Sequence, residues 1–436
     1  LLGVLLKKCS NINQKTPPWK KIIAPNGLCY NKNMAIEEKI SPETAKKQNV
    51  FFVGLLSFFG GISQDIFAPI LPIYLTSVLG FDKTFVGIAE GIVTAGSNIF
   101  KVIAGFLSDK FGKQKPIIFA GYFLSMISRP LLIFFTSTFS VMGLRLLDGI
   151  GKGAKDPAKD VLIAGSSEKE VRGRNFGIAR MLDTMGSVAG PLILFGLLYF
   201  FKDSPTLYHD ILIFTAVPLA ITLYIIVSKV KEAPKMAELQ TKESAPPSKE
   251  KLPLSFYLFL FIVIIFTLGN SSDAFLILRA KNLGFTLLEI PLVIAFFNLI
   301  YALAAVPFGS LSDKIGRIPT MLIGWSAFTL VYLGFGYASN AYAVWFLYAL
   351  YGIYYATNEG VARAFLADIV GAGHRGRAFG IYGTAIGIAS LPASFFAGFL
   401  WDRFGPQAPF YFGASMAALA AILLLLFSKK IKNIAL

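Results

Sequence analysis

The chain has 436 residues, 55% of them hydrophobic and only 15% charged, and its mean hydropathy is +0.63. Soluble domains average about 25% charged and about 45–50% apolar residues, so this balance excludes an ordinary soluble protein. The net charge of +16 does not describe a nucleic-acid surface, because the Lys and Arg residues sit in short loops between apolar runs.

The chain begins with a segment, 1–48, expected to be cytoplasmic. Both cysteines, Cys9 and Cys29, precede Met34, which is expected to be the natural start. No disulfide framework or thiolate metal site follows. The opening LLGVLLKKC is too short to be a signal peptide.

A membrane-crossing helix takes about 20 mostly apolar residues. Twelve stretches qualify, near 50–78, 84–107, 116–135, 139–164, 174–200, 210–228, 253–279, 287–309, 319–338, 341–368, 377–401 and 408–428. The fold class is therefore an all-α membrane protein. Alternate connections are basic (Lys110, Lys113, Lys115; Lys169, Arg172, Arg174; Lys314, Arg317; Arg375, Arg377), and the others are short and nearly neutral. The positive-inside rule places the basic set and both termini in the cytoplasm, as in a multi-pass protein of the bacterial inner (plasma) membrane. A polar segment rich in Pro, Ser and Lys, 229–252, reads as a cytoplasmic linker. It divides a six-helix bundle at 49–228 from a second at 253–428, and 429–436 is a cytoplasmic tail.

The two halves repeat. GFLSDKFGKQKP at Gly105 returns as GSLSDKIGRIPT at Gly309, and RGRNFGI at Arg172 returns as RGRAFGI at Arg375. GISQDIF around Asp65 resembles GNSSDAF around Asp273. Two pseudo-symmetric six-span halves in parallel form a plan used by one large class of transporters.

The loop with Gly105, Asp109, Lys110, Gly112 and Lys113 resembles the signature loop of the major facilitator superfamily. Gly309, Asp313, Lys314, Gly316 and Arg317 repeat it in the second half. The resemblance covers about 50–428. It implies a gate in which Asp109 meets the N-terminus of a neighbouring helix and basic residues, a placement that suits a carboxylate. The fifth span, GIARMLDTMGSVAGP, has Gly177, Gly186, Gly190 and Pro191 and is similar to the signature of proton-linked exporters in that superfamily. The final glycine pair of the signature is missing. Close packing of small residues is the alternative explanation of the spacing; export is the favoured direction.

The fourth span carries Arg145, Asp148, Lys152, Lys155, Asp156, Lys159 and Asp160. At 100° per residue they fall within an arc of about 140°. Facing lipid, they would cost on the order of 20 kcal/mol, at ~2.5–3.5 each, so they are expected to face a watery cavity or one another. Asp148 with Lys152 and Lys152 with Asp156 are the expected i,i+4 pairs. Adding the repeat offset to Asp156 reaches Glu359 on the tenth span, where Tyr348, Tyr351, Tyr355, Asn358, Glu359 and Arg363 share a face. The resemblance implies that the first, fourth, seventh and tenth spans line a central cavity. A salt-bridge network holding the helices together is the competing reading. Glu90, Asn98 and Lys101 on the second span, and Arg180 and Asp183 on the fifth, complete the candidate pathway.

Asp156 and Glu359 are the first candidates to carry a coupled proton, with Asp65 and Asp273 next. The expected function is secondary transport by alternating access, with proton-coupled export of a small molecule. The alternative is import or exchange of organic or inorganic anions, towards which the local surplus of bases leans. A membrane-embedded enzyme or receptor is disfavoured, because no phosphate loop and no paired-His metal motif appears. The expected partners are the lipid bilayer, a small-molecule substrate and protons. No cofactor, metal ion or nucleic acid is expected.

Overall fold

The computed structural model describes residues 21–23, 29–31, 42–167, 171–202, 204–232, 252–370 and 375–435. Residues 1–48 and 49–436 are two separate compact units. In the first unit, Lys21–Ile23 pairs antiparallel with Cys29–Asn31, with Ile22 opposite Tyr30. The all-helical reading did not anticipate this hairpin. Its strands are short, and Ile22, Ile23 and Tyr30 in them are β-prone.

The second unit is an all-α membrane fold of twelve spans in two pseudo-symmetric six-helix bundles. In the N-terminal half the spans are Pro42–Ile73 with a π turn at Tyr74–Val78, Lys83–Phe111, Lys115–Leu131, Thr138–Gly165, Arg172–Phe200, and Leu207–Phe214 with Ala216–Ser228. In the C-terminal half they are Leu254–Gly269 with Ala274–Asn282, Glu289–Ile315, Arg317–Tyr337, Tyr342–Ile369, Arg375–Phe404 and Ala408–Ala435. Nine are long and apolar enough to cross a membrane among the described residues. The other three are the third, with 17 residues, and the fourth and tenth, which carry the ionisable side chains.

Local sequence explains the irregular places. Pro69 and Pro72 lie inside the first span and remove two backbone donors. The helix then widens into the π turn, where Thr76 Oγ1 donates to the Pro72 carbonyl at 2.8 Å. The seventh span corrects the expectation of a continuous helix at 253–279, because it breaks at Asn270–Asp273. Gly269, Asn270, Ser271 and Ser272 are weak helix formers with polar groups that compete for the backbone. The break is satisfied by neighbours: Asn270 Nδ2 donates to Tyr354 Oη at 3.2 Å, and the Ser272 N–H donates to Ser394 Oγ of the eleventh span at 3.2 Å. Discontinuous helices at membrane depth persist only where protein or a cavity surrounds them.

The halves meet along two helix pairs, the second span with the eleventh and the fifth with the eighth. The second and eleventh pack backbone to backbone. A Cβ on Gly87 would strike the Ser394 carbonyl, and one on Gly398 the Lys83 carbonyl. The same pair is pinned at the ends remote from the linker. Asp402 accepts from the Thr84 N–H and Thr84 Oγ1, each at 2.7 Å, and from the Lys83 N–H at 3.3 Å. Towards the linker the helices part. A Cβ on Gly105, Gly309, Gly376, Gly380 or Gly383 would meet no atom within 4 Å among the described residues. The halves are thus closed on the far side and open on the linker side.

Candidate functional site

The linker-side opening leads into a cavity of about 520 Å³. Arg180, Tyr301, Asp313, Arg317, Tyr355 and Arg363 are among its lining residues. Arg180 pairs with Asp183 at 3.2 Å and donates to Tyr301 Oη across the halves at 3.1 Å. A second tie across the halves joins Asn298 Nδ2 to the Ser187 carbonyl at 2.7 Å.

The charged stripe of the fourth span divides into two levels. At the first, Asp148 is buried and shared by three bases: Arg145 at 3.2 Å, Arg129 at 3.3 Å and Lys152 at 3.5 Å. Arg145 also pairs with Glu90 of the second span at 2.7 Å. Arg129 donates to Ser63 Oγ at 2.6 Å and Gln64 Oε1 at 2.8 Å, which ties the first span to the third and fourth. Three bases thus share two carboxylates. The ring of Phe67 lies 4.9 Å from the Arg129 guanidinium and 5.3 Å from that of Arg145, adding cation–π stabilisation.

At the second level, Asp156 pairs with Lys159 at 3.5 Å and with Lys101 of the second span at 4.0 Å. Lys159 also donates to Ser57 Oγ at 2.9 Å. The partner of Asp156 is therefore Lys159, not the expected Lys152, because Lys152 is drawn to Asp148. Lys155 is buried with its ammonium 4.5 Å from the Tyr122 ring centroid. Asp160 is exposed. Arg145, Asp148 and Lys155 point into the protein between helices, whereas Lys101, Asp156 and Asp183 are partly open. Asn98 Nδ2 is taken up by the Thr94 carbonyl one turn back, at 3.1 Å.

The C-terminal half presents a different wall. At the break of the seventh span Asp273 is exposed, and Tyr355, which holds it, lines the cavity. Its Oδ1 accepts from Tyr351 Oη at 2.6 Å and its Oδ2 from Tyr355 Oη at 3.0 Å. No basic side chain stands within ion-pair distance of it among the described residues. Next to it, Ser272 Oγ donates to Glu90 Oε2 at 3.5 Å, linking this break to the buried ion cluster. Tyr355 packs edge-on against Phe297, Tyr301 and Tyr351 with centroids 5.2, 5.9 and 5.2 Å away. Asn358 is held by Trp325 Nε1 at 2.9 Å. Asp65, the equivalent of Asp273 in the first span, lies against Gly190 and likewise has no ion pair among the described residues. It sits in unbroken helix, because GISQD lacks the run of residues that breaks the seventh span.

Of the loop residues, Gly112 takes a left-handed φ of 60° and caps the second span, and Gly316 has φ 95°. Arg317 pairs with Asp313 at 2.6 Å and with Asp368 at 3.4 Å, while Lys113 and Lys314 are exposed. The N-terminus of the third span holds a carboxylate from beyond the sixth: Glu232 accepts from the N–H groups of Gln114 and Lys115, both at 3.0 Å. The side chains of Asp109, Lys110 and Glu359 lie outside the described residues, and with them the expected latch and the facing of Asp156 and Glu359. His209 lies in the first turn of the sixth span, and His374 is outside the described residues.

Sequence reasoning passed over Arg129, Ser272, Tyr301, Glu232 and Asp402. Arg129 had a signal, since it is the one charge in the apolar run of the third span. Ser272, Glu232 and Asp402 are polar residues at span ends or breaks and Tyr301 lies inside the eighth span, and only packing gives them partners.

The family model described as Major Facilitator Superfamily matches residues 53–278 and 254–434. An MFS-type transporter of Methanocaldococcus jannaschii is 34% identical over 384 residues, spanning 87% of this chain and 94% of that protein. The multi-drug resistance efflux pump PmrA of Streptococcus pneumoniae is 30% identical over 325 residues, spanning 70% of this chain and 77% of the pump. Among solved structures, the nucleoside transporter NupG superposes with a TM-score of 0.71 at 15% identity, over 87% of this chain and 99% of NupG. A D-xylose-proton symporter superposes with a TM-score of 0.66 at 18% identity, over 86% and 96%.

Proposed function

The chain belongs to the major facilitator superfamily, a secondary transporter and not an enzyme, and from that membership we propose proton-coupled export of a small molecule by alternating access. The observation that carries this reading is Asp273, an exposed carboxylate at the break of the seventh span that is held by the hydroxyl groups of Tyr351 and Tyr355, with no base in ion-pair distance among the described residues. An intramembrane carboxylate without a cation needs a proton or a charged ligand to be neutralised. Asp156, by contrast, already has Lys159 and Lys101. The proton carrier in this reading is Asp273, and Asp65, its symmetry equivalent, is the second candidate.

Export is supported by the likeness to PmrA, an efflux pump. The sugar symporter and the nucleoside transporter are too distant in sequence to speak to direction. In the same reading the linker and both termini are cytoplasmic, so the cavity opens inward. The bundles run 49–228 and 253–428, the linker 229–252 and the tail 429–436. Asp109 and Asp313 act at the cytoplasmic gate.

Purified protein in proteoliposomes with an imposed pH gradient tests this over a panel of solutes. Wild type is expected to concentrate a substrate against its gradient. Asp273→Asn should lose gradient-driven accumulation while retaining substrate exchange. Normal accumulation and pH dependence in both Asp273→Asn and Asp65→Asn would refute the proton route.

A further inference from the structure

We propose that a second cavity, at the far-side ends of the seventh, ninth, eleventh and twelfth spans, binds an anionic phospholipid, with Arg279 as the cation for its phosphate. The inference needs neither the direction nor the coupling proposed above, because every lining residue belongs to the C-terminal half and none to the linker-side cavity.

The cavity measures about 640 Å³, and Arg279, Asn282, Tyr337, Ser339, Gln407 and Tyr411 form its polar wall. Arg279 is only 3% exposed and makes no ion pair among the described residues. Its Nε donates to the Phe335 carbonyl at 3.0 Å and its Nη2 to the Ala338 carbonyl at 2.9 Å, at the C-terminal end of the ninth span. Its Nη1 donates to Asn282 Oδ1 at 2.6 Å. These bonds fix the guanidinium without neutralising it. A helix end offers about half a negative charge, whereas an arginine carries a full positive one. A buried cation without a carboxylate is costly. The wall does not supply one, since no Asp or Glu lines the cavity. The acid closest to it along the chain, Asp402, is turned to Lys83 and Thr84 of the second span. Lys281 and Arg403, next in sequence to Asn282 and Phe404 of the lining, are exposed bases. The missing partner is therefore an anion from outside the chain.

The neutral part of the wall suits an oxyanion. With Oδ1 bound to Arg279, the amide N–H groups of Asn282 are left to donate. Ser339, Gln407 and the hydroxyl groups of Tyr337 and Tyr411 make no side-chain hydrogen bond among the described residues. Donors thus converge beside a fixed guanidinium, whose planar fork matches phosphate. A zwitterionic headgroup would add an ammonium group, for which the lining has no carboxylate.

The surroundings favour a lipid over a soluble anion. Tyr337 and Phe404 stand exposed at the rim, and aromatic side chains gather at headgroup depth in membrane proteins. On the ninth span Leu330 and Ile323 follow Tyr337 at steps of seven residues, which keeps all three on one face, and all three are exposed. On the twelfth span Leu419 and Ile422 lie within an arc of about 80° of Tyr411 and are exposed as well. The rings of Tyr337 and Tyr411 meet edge to face with centroids 5.2 Å apart, so both apolar stripes end at this cavity. A lipid with its phosphate beside Arg279 has a bed for its acyl chains along them. Basic pockets between membrane helices take up anionic headgroups in this way.

The test counts lipids bound to the full chain in a nonionic detergent by native mass spectrometry. Dioleoyl-phosphatidylglycerol is the probe, dioleoyl-phosphatidylcholine the zwitterionic control and glycerol 3-phosphate the soluble one. The first phosphatidylglycerol is expected to bind about fivefold more tightly than the first phosphatidylcholine. Arg279→Gln should abolish that preference. Because Arg279 also holds the end of the ninth span, Gln407, which is exposed, gives a second pair of variants that leave the fold intact. Gln407→Glu should weaken phosphatidylglycerol binding about fivefold, and Gln407→Lys should strengthen it by a similar factor. A single cysteine at Ser339, with Cys9 and Cys29 replaced by Ser, should label more slowly with phosphatidylglycerol present and at its usual rate with phosphatidylcholine. Equal binding of the two lipids would overturn the site. So would a phosphatidylglycerol preference unchanged in both Arg279→Gln and Gln407→Glu. Displacement of the lipid by glycerol 3-phosphate, with the cysteine exposed again, would overturn the lipid as occupant in favour of a soluble phosphate ester.

Discussion

Asp402 is expected to hold the far side closed, and replacing it should shift the balance between the two faces. Its carboxylate accepts three hydrogen bonds from Lys83 and Thr84 across the halves. A hydrogen bond to a charged acceptor is worth about 1.5–3 kcal/mol net. The site is exposed, so a discount to about 0.5–1 kcal/mol each is appropriate. The charge at the start of the second span adds about 0.3–1 kcal/mol. Asp402→Asn keeps one acceptor oxygen and loses the charge, a loss of about 1–2 kcal/mol, or about 5–30-fold in the ratio of closed to open far side. From a starting ratio of about 9:1, a tenfold shift gives about 1:1. The reporter is a single cysteine at Ala305, which lines the linker-side cavity, in a background with Cys9 and Cys29 replaced by Ser. Its labelling rate should fall roughly twofold in Asp402→Asn, on the same population arithmetic, and further in Asp402→Ala. Labelling unchanged in both variants, with the protein folded, would refute the assignment of closure to these contacts.

Two further outcomes are expected. Asp148→Asn should destabilise the N-terminal half by about 3–5 kcal/mol, because Arg129 and Lys152 lose their carboxylate in a buried site; an unchanged unfolding temperature in detergent would contradict the shared-carboxylate account. Single cysteines in the Cys-free background should report the topology on intact cells, with Ser204→Cys labelled by an impermeant reagent and Ser244→Cys protected, and labelling of Ser244→Cys from outside would reverse it.

The sequence by itself determined the twelve spans, the two-fold repeat and the membrane class. Each rests on local properties: apolar length against bilayer thickness, and self-similarity at a fixed offset. It also singled out the fourth-span stripe, since charges inside an apolar run are conspicuous in any fold. It left two things open that only the tertiary structure decided. The first is which charges meet. Spacing along one helix offers Lys152 both Asp148 and Asp156; in the fold Lys152 takes Asp148, which Arg129 of the third span also reaches, Arg145 reaches Glu90 of the second, and Asp156 is left to Lys159 and to Lys101 of the second. The second is how the halves differ. Asp65 and Asp273 are equivalent in the repeat, yet one lies in unbroken helix and the other at a break whose freed N–H finds Ser394 of the eleventh span. A break inside a membrane is stable only when neighbouring helices take up its backbone groups, and here Ser394 lies 122 residues further along the chain.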